Sequence, residues 1–113
     1  MKRGELWLVN LDPTIGAEIK KTRPAVIVSN DAIGRLPLKI IVPVTGWEQQ
    51  FAQADWHVRL KAGKESGLTK DSSADTFQVR SVSEARLVRK VGKLTEAEMR
   101  QIENGLRISL GLE

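Results

Sequence analysis

The chain has 113 residues, a length that fits one domain, residues 1–113, with a genuine core and leaves no room for two. With no cysteine and one histidine, disulfide staples, thiolate zinc sites, cysteine nucleophiles and histidine-rich metal centres are excluded, so no cofactor and no metal is expected. The formal net charge of +4 comes from the two ends, residues 1–46 and 80–107 each carrying seven Lys/Arg against four acids, and it fits a polyanionic partner.

In chain order, residues 4–12 read as a strand, with Trp7, Val9 and Leu11 on one face, Leu6 and Leu8 on the other, and Pro13 ending the run. Residues 14–22 are polar, contain Gly16 and two adjacent lysines, and read as a loop that feeds a strand at Arg23-Pro24, where the proline biases Arg23 toward an extended backbone. The β-branched runs 25–29 and 39–44 read as two buried strands, with Gly34 and Pro37 marking the irregular connection between them. Residues 56–60 alternate, which predicts Trp56, Val58 and Leu60 inward and His57 and Arg59 outward. Further strand-like pieces lie near 75–82 and 86–91, and short strands at this spacing predict a small barrel. The period then changes. Met99, Ile102, Leu106 and Leu110 share a helical face, Thr95-x-x-Glu98 is a capping box, Gly105 costs about 1 kcal/mol relative to alanine, and Gly111 suits a C-cap. No apolar run approaches the roughly 20 residues of a membrane span, and no apolar stretch follows Met1-Lys2-Arg3-Gly4; a cytoplasmic protein without a membrane partner is expected.

Several blocks in a fixed order are similar to the MazF/PemK/Kid toxins: Arg3 to Pro13, Gly16-Ala17-Glu18, Thr22 to Asp31, Val42-Pro43-Val44-Thr45, Ser66-Gly67-Leu68, Lys70-Asp71-Ser72, Gln78 to Val82, Arg86-Leu87, and the terminal Ile108 to Leu112. The resemblance spans nearly the whole chain. It implies a mainly β (α+β) fold, an SH3-like small β-barrel of the MazF/PemK/CcdB type with a C-terminal helix. It also implies a toxin of a type II toxin-antitoxin system that is a homodimer, with single-stranded RNA lying across the dimer surface. A cognate antitoxin would cover that surface with an extended acidic tail, and operator DNA would be met only through the toxin-antitoxin complex.

The activity implied is a sequence-specific, metal-independent and ribosome-independent endoribonuclease that leaves 2′,3′-cyclic phosphate and 5′-OH ends. RNA carries its own nucleophile, the 2′-OH, so such a reaction requires in-line geometry, a proton acceptor, a proton donor for the leaving oxygen and stabilisation of a charged phosphorane. With the resemblance, Arg23, always charged and offering fixed donors, is the candidate clamp for the scissile phosphate; taken alone it reads rather as a surface arginine paired with Glu18. The resemblance places Thr45 beside it, where its hydroxyl can meet the phosphate or orient the 2′-OH; taken alone, Thr45 is a β-branched strand end. Glu18 is the candidate third catalytic residue, either as proton acceptor or as an acid that orients Arg23. Kid-like members carry a histidine and an aspartate where this chain has Ala17 and Phe77, so that acid–base scheme does not carry over. Asp75 and His57 read as exposed strand residues without a catalytic role.

RNA contacts are expected from Thr14, Gly16, Lys20 and Lys21 in the basic loop, from Ser72 and Gln78 at base edges, and from Trp47, which with Phe51 can stack on unpaired bases or cover a barrel mouth. A non-enzymatic, gyrase-binding toxin resembling CcdB is the alternative. The ending Leu110-Gly111-Leu112-Glu113 differs from the Trp-Gly-Ile ending of such relatives.

Overall fold

A computed structural model describes residues 1–113 and shows seven antiparallel strands followed by one helix. The strands are β1 (Glu5–Asn10), β2 (Thr22–Ile27), β3 (Leu38–Gly46), β4 (His57–Leu60), β5 (Ser72–Asp75), β6 (Arg80–Ser83) and β7 (Leu87–Lys93), and the helix α1 spans Glu96–Leu110. Neighbours run β4-β5-β3-β2-β1-β7, with β6 also on β3. The mainly β architecture and the C-terminal helix are those the sequence implies. The strand-like stretch near 75–82 divides, however: a single 3-10 turn over Thr76–Gln78 separates β5 from β6.

The two faces expected of the first strand are both buried. Leu6 joins a core of Val26, Val42, Val44, Val58, Leu60 and Ile102, while Val9 and Leu11 join Ala25, Ile27, Ile41, Val82 and Leu87 on the other side, with Trp7 packed against them. A strand buried on both faces needs apolar residues at every position, which is why periodicity alone gave β2 and β3 as continuous β-branched runs. Strand β3 is long enough to serve three partners. Ile41 to Pro43 pair with β2, Leu38 to Ile41 with β6 on the opposite edge, and Val44 to Gly46 with β5 on that same edge.

Helix α1 begins at the predicted capping box: the Thr95 hydroxyl accepts from Glu98 N at 3.1 Å and Thr95 N donates to the Glu98 carboxylate at 2.9 Å. It ends at Gly111 in the left-handed region. Met99, Ile102 and Leu106 pack on the core, but Leu110, expected on that face, is the last residue of the helix and is exposed. Three other expectations are corrected. Trp56 precedes β4 and is exposed, the His57 side chain is turned into the molecule, and Asp75 is buried. Trp56 falls outside the strand and its alternation, whereas His57 lies opposite Asp75 on β5 and under the Phe51 ring, so the face expected outward is covered by neighbouring side chains.

Gly105 is fixed by packing. A Cβ there would stand 2.9 Å from both the Thr76 Oγ1 and Cγ2 atoms, and the Thr76 hydroxyl is itself tied to the Trp56 carbonyl at 2.6 Å and to Ser109 Oγ at 2.9 Å. Alanine should therefore destabilise this helix although its propensity favours it by about 1 kcal/mol. We expect Gly105→Ala to lower the unfolding free energy in urea by about 1–3 kcal/mol, the usual cost of overpacking. An unchanged or raised midpoint would show that Thr76 moves aside freely.

Candidate active site

The register of β2 on β3, Ala25 opposite Pro43, continued two residues toward the sheet end brings Arg23 beside Thr45. Both line a cleft of about 280 Å³ whose remaining wall comes from β7 and from the loop before β5. That loop can approach because of two glycines. A Cβ at Gly67, whose φ is +73°, would meet the Val91 carbonyl oxygen at 2.2 Å, and one at Gly92 would meet the Glu65 carbonyl oxygen at 2.2 Å. Backbone thus lies directly on backbone, and Lys70 is carried over Gly46, where an added Cβ would meet its Nζ at 3.1 Å.

The cleft lining includes three cations, Arg23, Lys70 and Arg89, and no acid. The acids pair elsewhere. Glu5 takes Lys90, Asp71 takes Arg59 and Glu103 takes Arg3, whereas Arg23, Lys70 and Arg89 enter no salt bridge. The ion pair between Arg23 and Glu18 that the sequence left open is absent. Instead Arg23 Nε donates to the Lys20 carbonyl at 2.9 Å, which uses one donor of the guanidinium and leaves its terminal nitrogens for a ligand. Glu18 stands outside the cleft. Its carboxylate accepts from Ile15 N at 2.6 Å, and it lines a second cavity with Ala17, Phe77, Gln78 and Arg80.

The expected RNA-contacting residues divide in the same way. Ser72 lines the cleft, but it is buried and its hydroxyl donates to the Lys70 carbonyl at 2.9 Å, so it shapes the loop that holds Lys70. Thr14, Gly16, Lys20 and Lys21 lie in the exposed part of the loop between β1 and β2. Thr14 Oγ1 and Lys21 N both donate to Asp12 Oδ1, at 3.2 and 3.1 Å, and Lys21 has a φ of 74°, uncommon outside glycine. Trp47 is half-buried, with the Arg59 guanidinium 4.7 Å over its ring and Phe51 edge-on at 5.9 Å, so one of its faces is already occupied. Gln78 faces the second cavity, and both ends of its amide are engaged. Sequence reasoning missed Lys70 and Arg89 as cleft residues. Lys70 stood in a family-like block and Arg89 in the basic stretch 80–107, but the approach of β7 to the loop that brings them together is a tertiary fact.

His57 is the second surprise. Its side chain is 8 % exposed, its ring stacks on Phe51 at 3.8 Å, Nδ1 lies 2.7 Å from Ser73 Oγ, and Nε2 lies 3.8 Å from Asp75 Oδ2. Burial holds its pKa below the ordinary 6.5, against the opposing pull of Asp75 and Glu48.

Chains of this architecture with an acid-free cationic cleft at a strand end form a class suited to holding a phosphodiester. A model of the PemK-like, MazF-like toxins of type II toxin-antitoxin systems matches residues 2–110, and the chain belongs to that family. It is 36% identical over 118 residues to Endoribonuclease MazF9 of Mycobacterium tuberculosis, a match that covers 99% of this chain and 98% of that protein. Among solved structures it is similar to MazF of Deinococcus radiodurans, with a TM-score of 0.82 at 23% identity, covering 99% of this chain and 97% of that one. It is also similar to a mycobacterial endoribonuclease solved in complex with its cognate antitoxin, with a TM-score of 0.77 at 21% identity, covering 100% and 97% of the two chains. Likeness at these identities carries the fold.

The buried imidazole has a consequence for stability. Because its pKa is depressed in the folded state, the unfolded chain binds the proton more readily below 6.5. The contribution of His57 is therefore complete above 6.5 and is lost as pH falls from there toward the folded value. We expect the urea midpoint to drop over that interval and the drop to shrink in His57→Gln. An identical pH dependence in the variant would assign the slope to other groups.

Proposed function

We propose that this chain is a sequence-specific endoribonuclease that cuts single-stranded RNA without a metal or a ribosome, and that Arg23, Thr45 and Glu18 serve the reaction. The observation that carries the reading is the cleft itself, where Arg23, Lys70 and Arg89 converge beside the Thr45 hydroxyl with no acid among the lining residues. Family membership and the 36% identity to a protein named an endoribonuclease support it.

In the proposed step the ribose 2′-oxygen attacks the adjacent phosphorus and the bond from phosphorus to the 5′-oxygen breaks. One proton leaves the 2′-OH and one is delivered to the departing oxygen, so the products are a 2′,3′-cyclic phosphate and a 5′-OH end. Charge accumulates on the phosphorane oxygens, and Arg23 opposes it with terminal N–H donors that the Lys20 carbonyl leaves free. Thr45 holds a phosphate oxygen or the 2′-OH in line. An arginine is a poor proton acceptor, and Glu18 is the candidate for that role; its exposed carboxylate, held by Ile15 N outside the cleft, has to swing toward the 2′-OH when RNA binds.

Partners follow from the same reading. The exposed apolar side chains Trp56, Phe77, Ile108, Leu110 and Leu112 support a homodimer with RNA across its surface. The cationic cleft supports silencing by an antitoxin with an extended acidic tail, and operator DNA is met only through that complex. No helix is long and apolar enough to cross a membrane. A cytoplasmic site of action, where mRNA is found, is part of the proposal.

Incubation with a long single-stranded RNA in EDTA, followed by sequencing of the fragment ends, tests the reading. Wild-type protein should give discrete cuts with 5′-OH ends. Arg23→Ala should lose about 100-fold or more in rate, as does removal of a donor to a developing oxyanion, and Thr45→Val should also lose rate. Equal cutting by Arg23→Ala, or none by the wild type across varied RNAs, would remove the assignment.

A further inference from the structure

Hydrogen bonds from the end of β5 reach the loop backbone one residue before the carbonyl that holds Arg23. Asp75, buried at the end of β5, uses Oδ1 to accept from Phe77 N at 3.1 Å and Oδ2 to accept from Gln78 Nε2 at 3.3 Å. Gln78 Nε2 also donates to the Ala17 carbonyl at 3.4 Å, and Gln78 Oε1 accepts from Ile19 N at 2.6 Å. The partners dictate the sense of the amide. A backbone N–H demands the oxygen, and a carboxylate with a carbonyl demands the nitrogen. One residue beyond Ile19, the Lys20 carbonyl accepts Arg23 Nε at 2.9 Å. At its mouth the loop is held by Leu11 N donating to the Lys21 carbonyl at 3.0 Å and Lys21 N donating to Asp12 Oδ1 at 3.1 Å, while between Ala17 and Ile19 the bonds to Gln78 are what tie the backbone across.

We propose that Gln78, oriented by Asp75, is a positioning residue that sets the backbone from Ala17 to Lys20 and, through the Lys20 carbonyl, the aim of the Arg23 guanidinium. The inference rests on the reading of Arg23 as the clamp on the scissile phosphate. It replaces the sequence expectation that Gln78 reads base edges, since all the amide atoms that would do so are occupied by protein. It also gives Asp75 a task without touching RNA. Its carboxylate turns one end of Gln78 so that the other end meets Ile19, and a guanidinium held at Nε keeps its two terminal nitrogens on one bearing. A misplacement of about 1 Å in such a group is enough to cost about 100-fold in rate.

A charge swap tests this. In Gln78→Glu the acceptor for Ile19 N is kept, but the group facing Asp75 Oδ2 at 3.3 Å changes from donor to acceptor and the two carboxylates repel. Adding Asp75→Asn restores a donor on the opposite side of the same contact, and its amide oxygen can still accept from Phe77 N. We expect Gln78→Glu to lose about 10- to 100-fold in kcat with a smaller change in KM and an unchanged cut sequence, and the double variant to recover most of the loss. Gln78→Met, of similar length and without hydrogen bonds, should show the same loss and no rescue by Asp75→Asn. Hydrogen exchange at the Ile19 amide, read by NMR without RNA, should accelerate in both single Gln78 variants and slow again in the double swap. Thermal melts confirm that each variant is folded before it is compared.

Wild-type rates in Gln78→Glu, a loss that the swap does not recover, or a changed cut sequence at a retained rate would each overturn the proposal, the last by assigning Gln78 to base reading. If the wild type cuts no RNA, the reading of Arg23 falls instead. The Ile19 exchange then decides the relay: restoration in the double swap supports it, and unchanged exchange in Gln78→Glu ends it.

Discussion

The partner change along β3 is the constraint on which the rest of the molecule depends. On one edge this strand holds β2; on the other it holds β6 up to Ile41 and β5 from Val44 onward. Pro43 lies in the gap. Val28 N donates to the Ile40 carbonyl, and the alternation of an antiparallel ladder then turns the nitrogen of residue 43 to the opposite edge, where no strand pairs with it. A proline is tolerated in the middle of this buried strand because the N–H it lacks has no ladder partner. The same gap sends the chain from β5 to β6 through the turn that carries Phe77 and Gln78, while the far end of β3 delivers Thr45 to Arg23.

Charge is distributed around that frame with a clear division. Acids at the start of β1, before β5 and on α1 take their own cations, and these exposed pairs add little stability individually. Their larger effect is to leave the cations of the cleft without competitors. A guanidinium already bound to a carboxylate has to give up that partner before it binds phosphate, whereas Arg23 gives up nothing but water. A net charge of +4 is modest, and its arrangement is what creates a cationic cleft without an acid in its lining.

Buried polar groups cluster along the β4–β5 pair and the turn after it. Ser73, His57, Asp75 and Thr76 are each bonded within the protein, and no buried side-chain nitrogen or oxygen lacks a partner. Such a network specifies geometry because every member depends on the placement of the next. Gly105 lets α1 close over it, and its place in the helix interior reflects that contact with Thr76.

The amino-acid sequence by itself determined the elements whose signal is local. The capping box at Thr95, the C-cap at Gly111, the two-sided apolar pattern of β1 and the extended conformation of Arg23 before Pro24 are each dictated by residues within a few positions of one another. The ordered blocks from Arg3 to Leu112 carried the family in the same way. What only the tertiary structure decided were the placements set by distant neighbours. His57 and Asp75 alternate as exposed strand residues should, yet they are buried because they meet, 18 residues apart, across the β4–β5 ladder and Phe51 stacks on the imidazole. Lys70 and Arg89 join the cleft because two glycines let one backbone rest on another, and the Gln78 amide is occupied because a loop 59 residues earlier in the chain bonds to it. Periodicity reports which way a side chain leaves its own strand, whereas burial and bonding depend on what the rest of the chain sets against that side.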